Sequence, residues 1–456
     1  MWRGAVLPST DLTLLQAVIV GLLAALCGAA WLAPSLYWLL LGATLATALV
    51  LLAYRYLPAV CAVWLLVAGA TPEMALNDLI GPAAFQATIA VVKAGALLLA
   101  FACVWRWGLR FDALNPAWGF VAIGAWGPLH GLHPGLTLAD SLRSLFGSVA
   151  PYAFGFARLP PAWCAAILWA VPRAPVVAVA GGALLAMLGL RPLFVDSGGW
   201  RLAGLGHPAF LAGVCLPAVY AALIAYWRDG RPRNATLLGT NLVILVLTGA
   251  RAPLAYACGV VLLAVFAVPS AHLSPRRRVG LLLGGGLLLV PLVLFAQDLT
   301  AVRVFNLLTN DLGNLSGREY LWPSFRAAAA ESPWFGWGLG AGNVIIAPDS
   351  QVARRLHTWA AHNEYLRMEV EGGQIGRLLL LLLFTAWVVR RSAVLARGER
   401  WIMRIAFLAF AAHAFTDNVL ISTPACVLFA FATAIFARGE CEAGMRSALR
   451  PTARKA

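Results

Sequence analysis

Long apolar runs with almost no charge recur along the whole chain, and they limit its possible folds more than any other feature. Of the 456 residues, 61% are apolar and 12% are charged, against roughly a quarter charged in soluble domains. A mean hydropathy of +0.81 leaves too little polar surface to cover a water-soluble globule. Several runs reach the length of about 18 residues that crosses the hydrocarbon layer of a bilayer. The sequence therefore predicts an all-α, polytopic integral membrane protein.

The number and order of these runs predict about 12 to 14 transmembrane helices and one large loop. The runs lie at 12–33, 36–53, 57–71, 86–105, 116–129, 138–157, 174–190, 209–227, 235–250, 252–268, 279–297, 364–389, 401–416 and 419–437. Residues 161–172 lie between Arg158 and Arg173. Because this stretch is short and bounded by charges, we expect it to form an interfacial or re-entrant piece.

The net charge of +15, from 34 basic and 19 acidic residues, follows mostly from short arginine-rich loops. The positive-inside rule concentrates such arginines on the cytoplasmic side. No basic stripe interleaved with aromatic residues is present, so nucleic acid is not an expected partner. The eight cysteines are scattered, and neither they nor the histidines show the spacing of a metal site.

Loop charges also divide the chain into four parts. We expect N-terminal helices at 1–190, central helices at 191–297, a large periplasmic loop at 298–370, and C-terminal helices with a basic cytoplasmic tail at 371–456. A loop this long inside a compact membrane protein is usually functional.

Two arginines fall on the predicted periplasmic side, where the positive-inside rule does not explain them. Arg201 comes just before one apolar run, and Arg251 lies in the tight break between two others. An arginine at membrane depth is costly unless paired, and guanidinium groups bind phosphate in a bidentate manner. The pair therefore suits a diphosphate, although contact with lipid head groups or an acid of the loop are alternatives. Lys93, inside another run, either snorkels outward or adds a third cation for the same anion.

A polar cluster begins at His362 and Asn363, where the large loop enters the next apolar run. A neutral histidine at this position can remove a proton from a sugar hydroxyl. Glu364 would orient it or pair with an arginine. His413 and Asp417 return to the same face at the next predicted periplasmic turn. The alternative is a structural cluster that caps the helix.

The middle of the large loop has two local patterns. Residues 318–331 have the spacing of an amphipathic helix that could lie on the membrane surface. The glycine-rich stretch from Pro333 to Gly342 lacks the GK[ST] ending of a nucleotide-binding loop. It is therefore expected to form a turn that tucks the loop against the helices.

Between about 195 and 435, these elements form a recognisable set of motifs. They are Arg201-x-x-Gly204 before His207-Pro208, Thr248-Gly249-Ala250-Arg251, Gly317-Arg318 with Trp322, the Pro333–Gly342 stretch, and His362-Asn363-x-Tyr365-Leu366 followed by Glu371-x-Gly373-x-x-Gly376. The set resembles the O-antigen ligase and O-antigen polymerase superfamily of bacterial membrane glycosyltransferases. In that family the Arg-x-x-Gly element is usually followed by Asn-Pro, so His207 is a departure.

The resemblance implies transfer of a glycan from undecaprenyl diphosphate to an acceptor hydroxyl, without nucleotide sugar, cofactor or essential metal. It implies that Arg201 and Arg251 hold the diphosphate, that His362 is the general base, and that Arg318 positions the loop or the donor. Further substrate contacts are expected from Lys93, Asn363, Glu364, Tyr365 and Asp417.

The expected location is the bacterial inner membrane, with membrane lipids around the helices and the active site on the periplasmic side. A lipid A core sugar is the expected acceptor of a ligase. A polymerase that extends a growing glycan and a protein O-oligosaccharyltransferase share the same motifs and stay open as alternatives. A polysaccharide transporter or flippase would place paired broken helices and charges at the midplane, a pattern that the sequence does not show apart from Lys93.

Overall fold

A computed structural model of the chain describes residues 52–197, 199–281, 283–284, 320–356 and 358–448, besides Gly21 and Ala25. Most of the predicted runs at 12–33, 36–53 and 279–297 lie outside these residues, as do Arg318 and His357. The site discussed below belongs to the compact unit Cys61–Ala456. The predicted four-part division of the chain stays a prediction.

The described part of the chain is mainly helical, with almost no sheet. The helices are α1 (Leu57–Ala70), α2 (Glu73–Ile80), α3 (Pro82–Trp107), α4 (Ala117–His130), α5 (Leu138–Val149), α6 (Pro161–Ala170), α7 (Ala174–Met187), α8 (Pro208–Asp229), α9 (Pro232–Leu247), α10 (Arg251–Ala267), α11 (Trp322–Glu331), α12 (Gln351–Leu356), α13 (Glu364–Ser392), α14 (Arg397–His413) and α15 (Thr423–Ala448). Short 3-10 helices occupy Ala150–Phe156, Val171–Arg173 and Ala341–Asn343. Strands β1 (Phe194–Asp196) and β2 (Trp200–Leu202) form one antiparallel hairpin.

Several helices have the length and apolar composition of membrane spans. Within the described residues there are five such helices, or six if the bent pair α1 and α2 counts as one span. The five spans are α3, α6 with α7, α8, α13 and α15. The prediction of an all-α, polytopic membrane protein is confirmed.

The expectation of a separate interfacial piece at 161–172 is wrong. α6 continues through a 3-10 turn into α7, so that Pro161–Met187 forms one apolar span of 27 residues. Arg173 does not end the span, because its Nη1 donates to the carbonyl of Trp169 at 2.6 Å and its guanidinium lies 4.5 Å from the Trp169 ring. The charge is therefore accommodated on the surface of the same helix.

Arginines near the ends of different helices meet at one end of the bundle. Arg110 and Arg391 both donate to Glu440, and Arg228 donates to Glu442 at 2.6 Å. We call this region, defined by these five residues, the basic end. The opposite ends of the neighbouring helices carry Arg201, Arg251 and His362.

Helix α11 confirms that the middle of the loop contains an amphipathic helix. Its apolar face is turned towards the protein rather than a membrane surface, because Phe325 and Ala329 are buried in a cluster with Leu366 and Val370 of α13. The described part of the loop therefore packs directly on the helices that carry the candidate site.

The glycine-rich stretch fills a break in α13. At Gly373 the helix has φ +62° and ψ −168°, so the regular hydrogen-bond ladder is interrupted. The Trp337 amide donates to the carbonyl of Val370 at 2.8 Å, and the Gln374 amide donates to the carbonyl of Pro333 at 2.8 Å. Main-chain groups that the break would leave without partners are thus paired with the loop.

Gly373→Ala is expected to lower the thermal unfolding midpoint markedly. A Cβ atom at Gly373 would lie 2.3 Å from the Trp334 carbonyl, and an alanine at φ +62° is strained by about 1–3 kcal/mol. The measurement is thermal unfolding of the purified protein in detergent. Gly259→Ala in α10 is the matched control, since its Cβ would meet nothing within 4 Å. Equal midpoints for the two variants would contradict the importance of glycine at the break in α13.

Candidate active site

The central contact of the candidate site joins His362 to Asp417. Nδ1 of His362 lies 3.0 Å from Oδ1 of Asp417, and Nε2 lies 3.0 Å from Oγ1 of Thr358. Because an ionised carboxylate can only accept hydrogen bonds, Nδ1 carries the proton and Nε2 is the unprotonated nitrogen. The Thr358 hydroxyl then donates to Nε2. His362 therefore has the tautomer that a base acting through Nε2 requires.

Asp417 is held in its ionised form. Burial raises the pKa of this carboxyl, but the hydrogen bond and charge of His362, the charge of His413 and the amide of Asn418 together outweigh it. The pKa of Asp417 consequently lies well below its usual range. The Asn418 amide donates to Oδ1 at 2.8 Å, and Nε2 of His413 lies 3.9 Å from Oδ2. A charged Asp417 can orient His362 and stabilise its protonated form.

The backbone around His362 fixes the position of the imidazole. His362 has φ +47°, a conformation that L-residues other than asparagine, aspartate and histidine rarely adopt. On one side, Nε1 of Trp322 donates to the Ala361 carbonyl at 2.9 Å. On the other, the Asn363 side chain accepts from the Leu366 amide at 3.1 Å and caps α13. His362 is thus held between two anchored neighbours.

Glu364 and Tyr365 connect the start of α13 to the turn that carries Asp417. The Glu364 carboxylate accepts from the Leu420 amide at 2.7 Å, and its own amide donates to the Ala414 carbonyl at 2.8 Å. The Tyr365 hydroxyl donates to the Ala411 carbonyl at 2.9 Å. These side chains, like Asn363, position the two halves of the His362–Asp417 contact. Their predicted contact with substrate stays a prediction.

Arg201 and the turn before Arg251 are in direct contact. Nε of Arg201, in β2, donates to the Thr248 carbonyl at 2.8 Å. Thr248 follows α9, Gly249 reverses the chain with φ +66°, and Arg251 is the first residue of α10. The structure therefore brings both predicted diphosphate ligands to one turn.

Helix α10 connects this turn to the His362–Asp417 contact. The Tyr256 hydroxyl donates to the Ala412 carbonyl at 3.1 Å, and its ring lies 5.5 Å from that of His413. His413 in turn faces Asp417. A continuous set of contacts thus runs from Arg201 through α10 to His362.

His207 caps the start of α8 in the way that an asparagine side chain can. Its Nδ1 accepts from the Ala209 amide at 3.2 Å, which is the capping role of asparagine at a helix start. Burial and the charges of Arg201 and Arg191 lower the pKa of His207 to about 4. The ring is therefore neutral near pH 7 and its Nδ1 can accept.

Arg191 was missed by the sequence interpretation. It is 8% exposed and donates to Asp78, to the Leu205 carbonyl at 2.8 Å and to the Gly206 carbonyl at 2.7 Å. It therefore holds the loop between Arg201 and His207. The available signal was an arginine directly after an apolar run, on the same side as Arg201.

Lys93 is not brought to the two arginines. It lines a separate cavity of about 860 Å³, together with Arg143 and Arg367. Neither Arg201 nor Arg251 lines this cavity. The predicted role of Arg318 falls on a residue outside the described ranges.

Comparison with known families gives this geometry a context. Residues 235–381 match the sequence profile of the O-antigen ligase family. This match, which covers less than half of the chain, supports a relationship to the O-antigen ligase superfamily. The matched stretch includes Arg251 and His362, whereas Arg201 and Asp417 lie outside it. No curated protein matches the chain significantly. The match implies, in general terms, a glycosyltransferase-type membrane enzyme that handles a lipid-linked glycan and a glycan acceptor.

Proposed function

We propose that the chain transfers a glycan from undecaprenyl diphosphate to a hydroxyl of a lipid A core sugar, as an O-antigen ligase. The observation that carries the proposal is the His362–Asp417 contact, which lies on the same connected set of residues as Arg201 and Arg251. It combines a base with the cations that a diphosphate needs.

In the proposed reaction, Nε2 of His362 removes the proton of the acceptor hydroxyl. The acceptor oxygen forms a bond to the anomeric carbon of the glycan while the bond from that carbon to the diphosphate oxygen breaks. Undecaprenyl diphosphate leaves with the bonding electron pair, and Arg201 and Arg251 stabilise its growing charge. The proton stays on His362, where Asp417 stabilises the imidazolium. In this scheme guanidinium groups supply the positive charge, so no metal is required.

The proposed location is the periplasmic face of the inner membrane. The basic end contains Arg110, Arg228 and Arg391, and the positive-inside rule assigns such an end to the cytoplasm. Arg201, Arg251 and His362 lie at the opposite ends of the helices. A periplasmic site also suits a donor whose glycan has already crossed the membrane.

The test of the proposed function is the glycan profile of a strain that lacks the gene. We expect unligated, polyprenyl-linked polymer to accumulate and the lipid A core to lack polymer, with both reversed by the wild-type gene. Lipid A core capped by a single repeat unit would contradict the ligase assignment and indicate a polymerase. Loss of glycan from proteins alone would indicate a protein O-oligosaccharyltransferase.

A further inference from the structure

The cavity lined by Lys93 lies next to the candidate active site. Its walls come from α3, α5, the Gly340–Val344 turn and α13. Trp359 and Ile421 also line the cavity. Trp359 directly follows Thr358, which hydrogen-bonds His362, and Ile421 directly follows Leu420, whose amide donates to Glu364. The cavity wall therefore continues into the segments that hold His362 in place.

Two cations face this cavity without a carboxylate partner in the described part of the chain. Arg143 Nη2 donates to the neutral Oε1 of Gln86 at 2.9 Å. Lys93 is turned towards α5 rather than outward, since a Cβ atom at Gly147 would lie 3.1 Å from its Nζ. Asp140 is the nearby acid, and its carboxylate accepts from the Thr137 hydroxyl at 2.6 Å. Positive charge is thus available for an anion.

A buried cluster of Arg367 with two glutamates adds one further donor and one further acceptor. Arg367 and Glu371 are 4% and 1% exposed; Nε of Arg367 donates to Oε2 of Glu364 at 2.6 Å, and Nη1 donates to Oε2 of Glu371 at 2.9 Å. The remaining atoms, Nη2 of Arg367 and Oε1 of Glu371, are buried and make no hydrogen bond of normal geometry with the described residues, while the Gly342 amide also faces the Glu371 carboxylate. The Arg367 and Glu371 side chains line the cavity. Buried polar groups of this kind are normally satisfied by a ligand or water.

We propose that this cavity binds an anionic saccharide unit, one that bears a phosphate or carboxylate group, from the glycan donor or the acceptor. Adjacent sugar hydroxyls can accept from Nη2 of Arg367 and donate to Oε1 of Glu371. The anionic group then lies between Lys93 and Arg143. The partly exposed Trp359 ring covers an apolar face of the sugar. The inference rests on the proposed function for the identity of the ligand as a saccharide.

An anionic lipid head group is the competing ligand. The phosphodiester of such a lipid supplies only acceptors, and the donors of a phosphatidylglycerol head group are two hydroxyls on a flexible glycerol. A sugar ring holds several hydroxyls in fixed positions on neighbouring carbons, so it can reach Arg367 and Glu371 together while its anionic group reaches the cations. The combination of cations with the Glu371 carboxylate oxygen therefore favours the saccharide.

Binding to the full-length protein in phosphatidylcholine nanodiscs tests the proposal. Glucuronic acid and glucose 6-phosphate are the anionic probes, glucose is the neutral probe, and saturation-transfer NMR measures affinity. We expect both anionic probes to bind at least about tenfold more tightly than glucose. Lys93→Met and Arg143→Gln should each weaken the anionic probes about tenfold and leave glucose unchanged. Arg326→Gln, an exposed arginine of α11, is the matched control and should bind like the wild type.

Three results would overturn the proposal. They are equal affinity for anionic and neutral sugars, wild-type binding by both cavity variants, and displacement of the anionic sugars by phosphatidylglycerol. Competition with isolated polyprenyl-linked glycan or isolated lipid A core identifies the source of the saccharide, and displacement by neither contradicts the proposal.

The binding assay is independent of catalysis. His362→Gln should retain probe binding even though it loses transfer. If the probes fail to bind while His362→Gln still abolishes transfer, the cavity proposal alone is wrong. If the probes bind as expected while His362→Gln transfers normally, the proposed reaction alone is wrong.

Discussion

Replacement of His362 by glutamine is expected to reduce the rate of glycan transfer by about 10²–10⁴-fold, the usual contribution of a general base. Glutamine has a similar reach but cannot take a proton from the acceptor hydroxyl. Because His362 is not a proposed ligand of the diphosphate, KM for the donor should change little while kcat falls. The measurement is transfer by the purified protein from polyprenyl-linked glycan to lipid A core.

Asp417→Asn separates the base from the residue that orients it. Asparagine keeps the shape of the side chain but removes the charge that fixes Nδ1–H and stabilises the imidazolium. We expect a fall in kcat that is smaller than for His362→Gln, again with little change in donor KM. His272→Gln, at the basic end beside Arg228, is the matched control and should transfer normally. A His362→Gln enzyme within threefold of the wild-type kcat would refute the assignment of the base.

Arg251→Ala is the second change with a large expected effect. A hydrogen bond to a charged group contributes about 1.5–3 kcal/mol, so loss of both donor bonds of a bidentate guanidinium should lower kcat/KM for the donor by at least about 10²-fold. Part of the loss should be in kcat, because the charge on the diphosphate grows as the glycosidic bond breaks. The same transfer assay, with donor concentration varied, measures it.

Conservative and distant variants make the arginine test specific. Arg251→Lys keeps the charge but not the bidentate geometry, so we expect an intermediate rate. Arg201 is a less direct probe, because its Nε also donates to the Thr248 carbonyl and its replacement loosens the turn before Arg251. Arg158→Ala, an exposed arginine on the basic side of the bundle, should transfer like the wild type. If Arg251→Ala and Arg158→Ala behave alike, Arg251 is only a topological charge.

Groups of arginines in the sequence indicate one end of the bundle, where Arg110, Arg228 and Arg391 meet although they lie near the ends of different helices. The same reasoning failed at Arg173, which lies within the apolar span Pro161–Met187. An arginine in the sequence indicates a loop only when the folded chain offers its charge no partner. Arg173 has such a partner on its own helix, the Trp169 carbonyl.

The arrangement within the site was less accessible to sequence reasoning. His362 and Asp417 are 55 residues apart, and the sequence could place them on one face but could not pair them. The surroundings of Arg191 and Lys93 could not be predicted either, because they depend on how the helices pack. The carbonyls that Arg191 holds, and the cavity that Lys93 lines, exist only once α3, α5 and the loop after α7 are assembled.

The hydrogen bonds that join the large loop to α13 at the Gly373 break depend on the backbone of both segments. The bonds from Trp337 to Val370 and from Gln374 to Pro333 join main-chain atoms, so they depend on the glycines at 336 and 373. Trp334 lies on this backbone with its ring exposed, whereas the Phe335 ring lies 6.1 Å from that of Trp126 and 5.2 Å from that of His130. The outer surface at Trp334 can therefore change without altering these main-chain bonds, so the helix that carries His362 keeps its position.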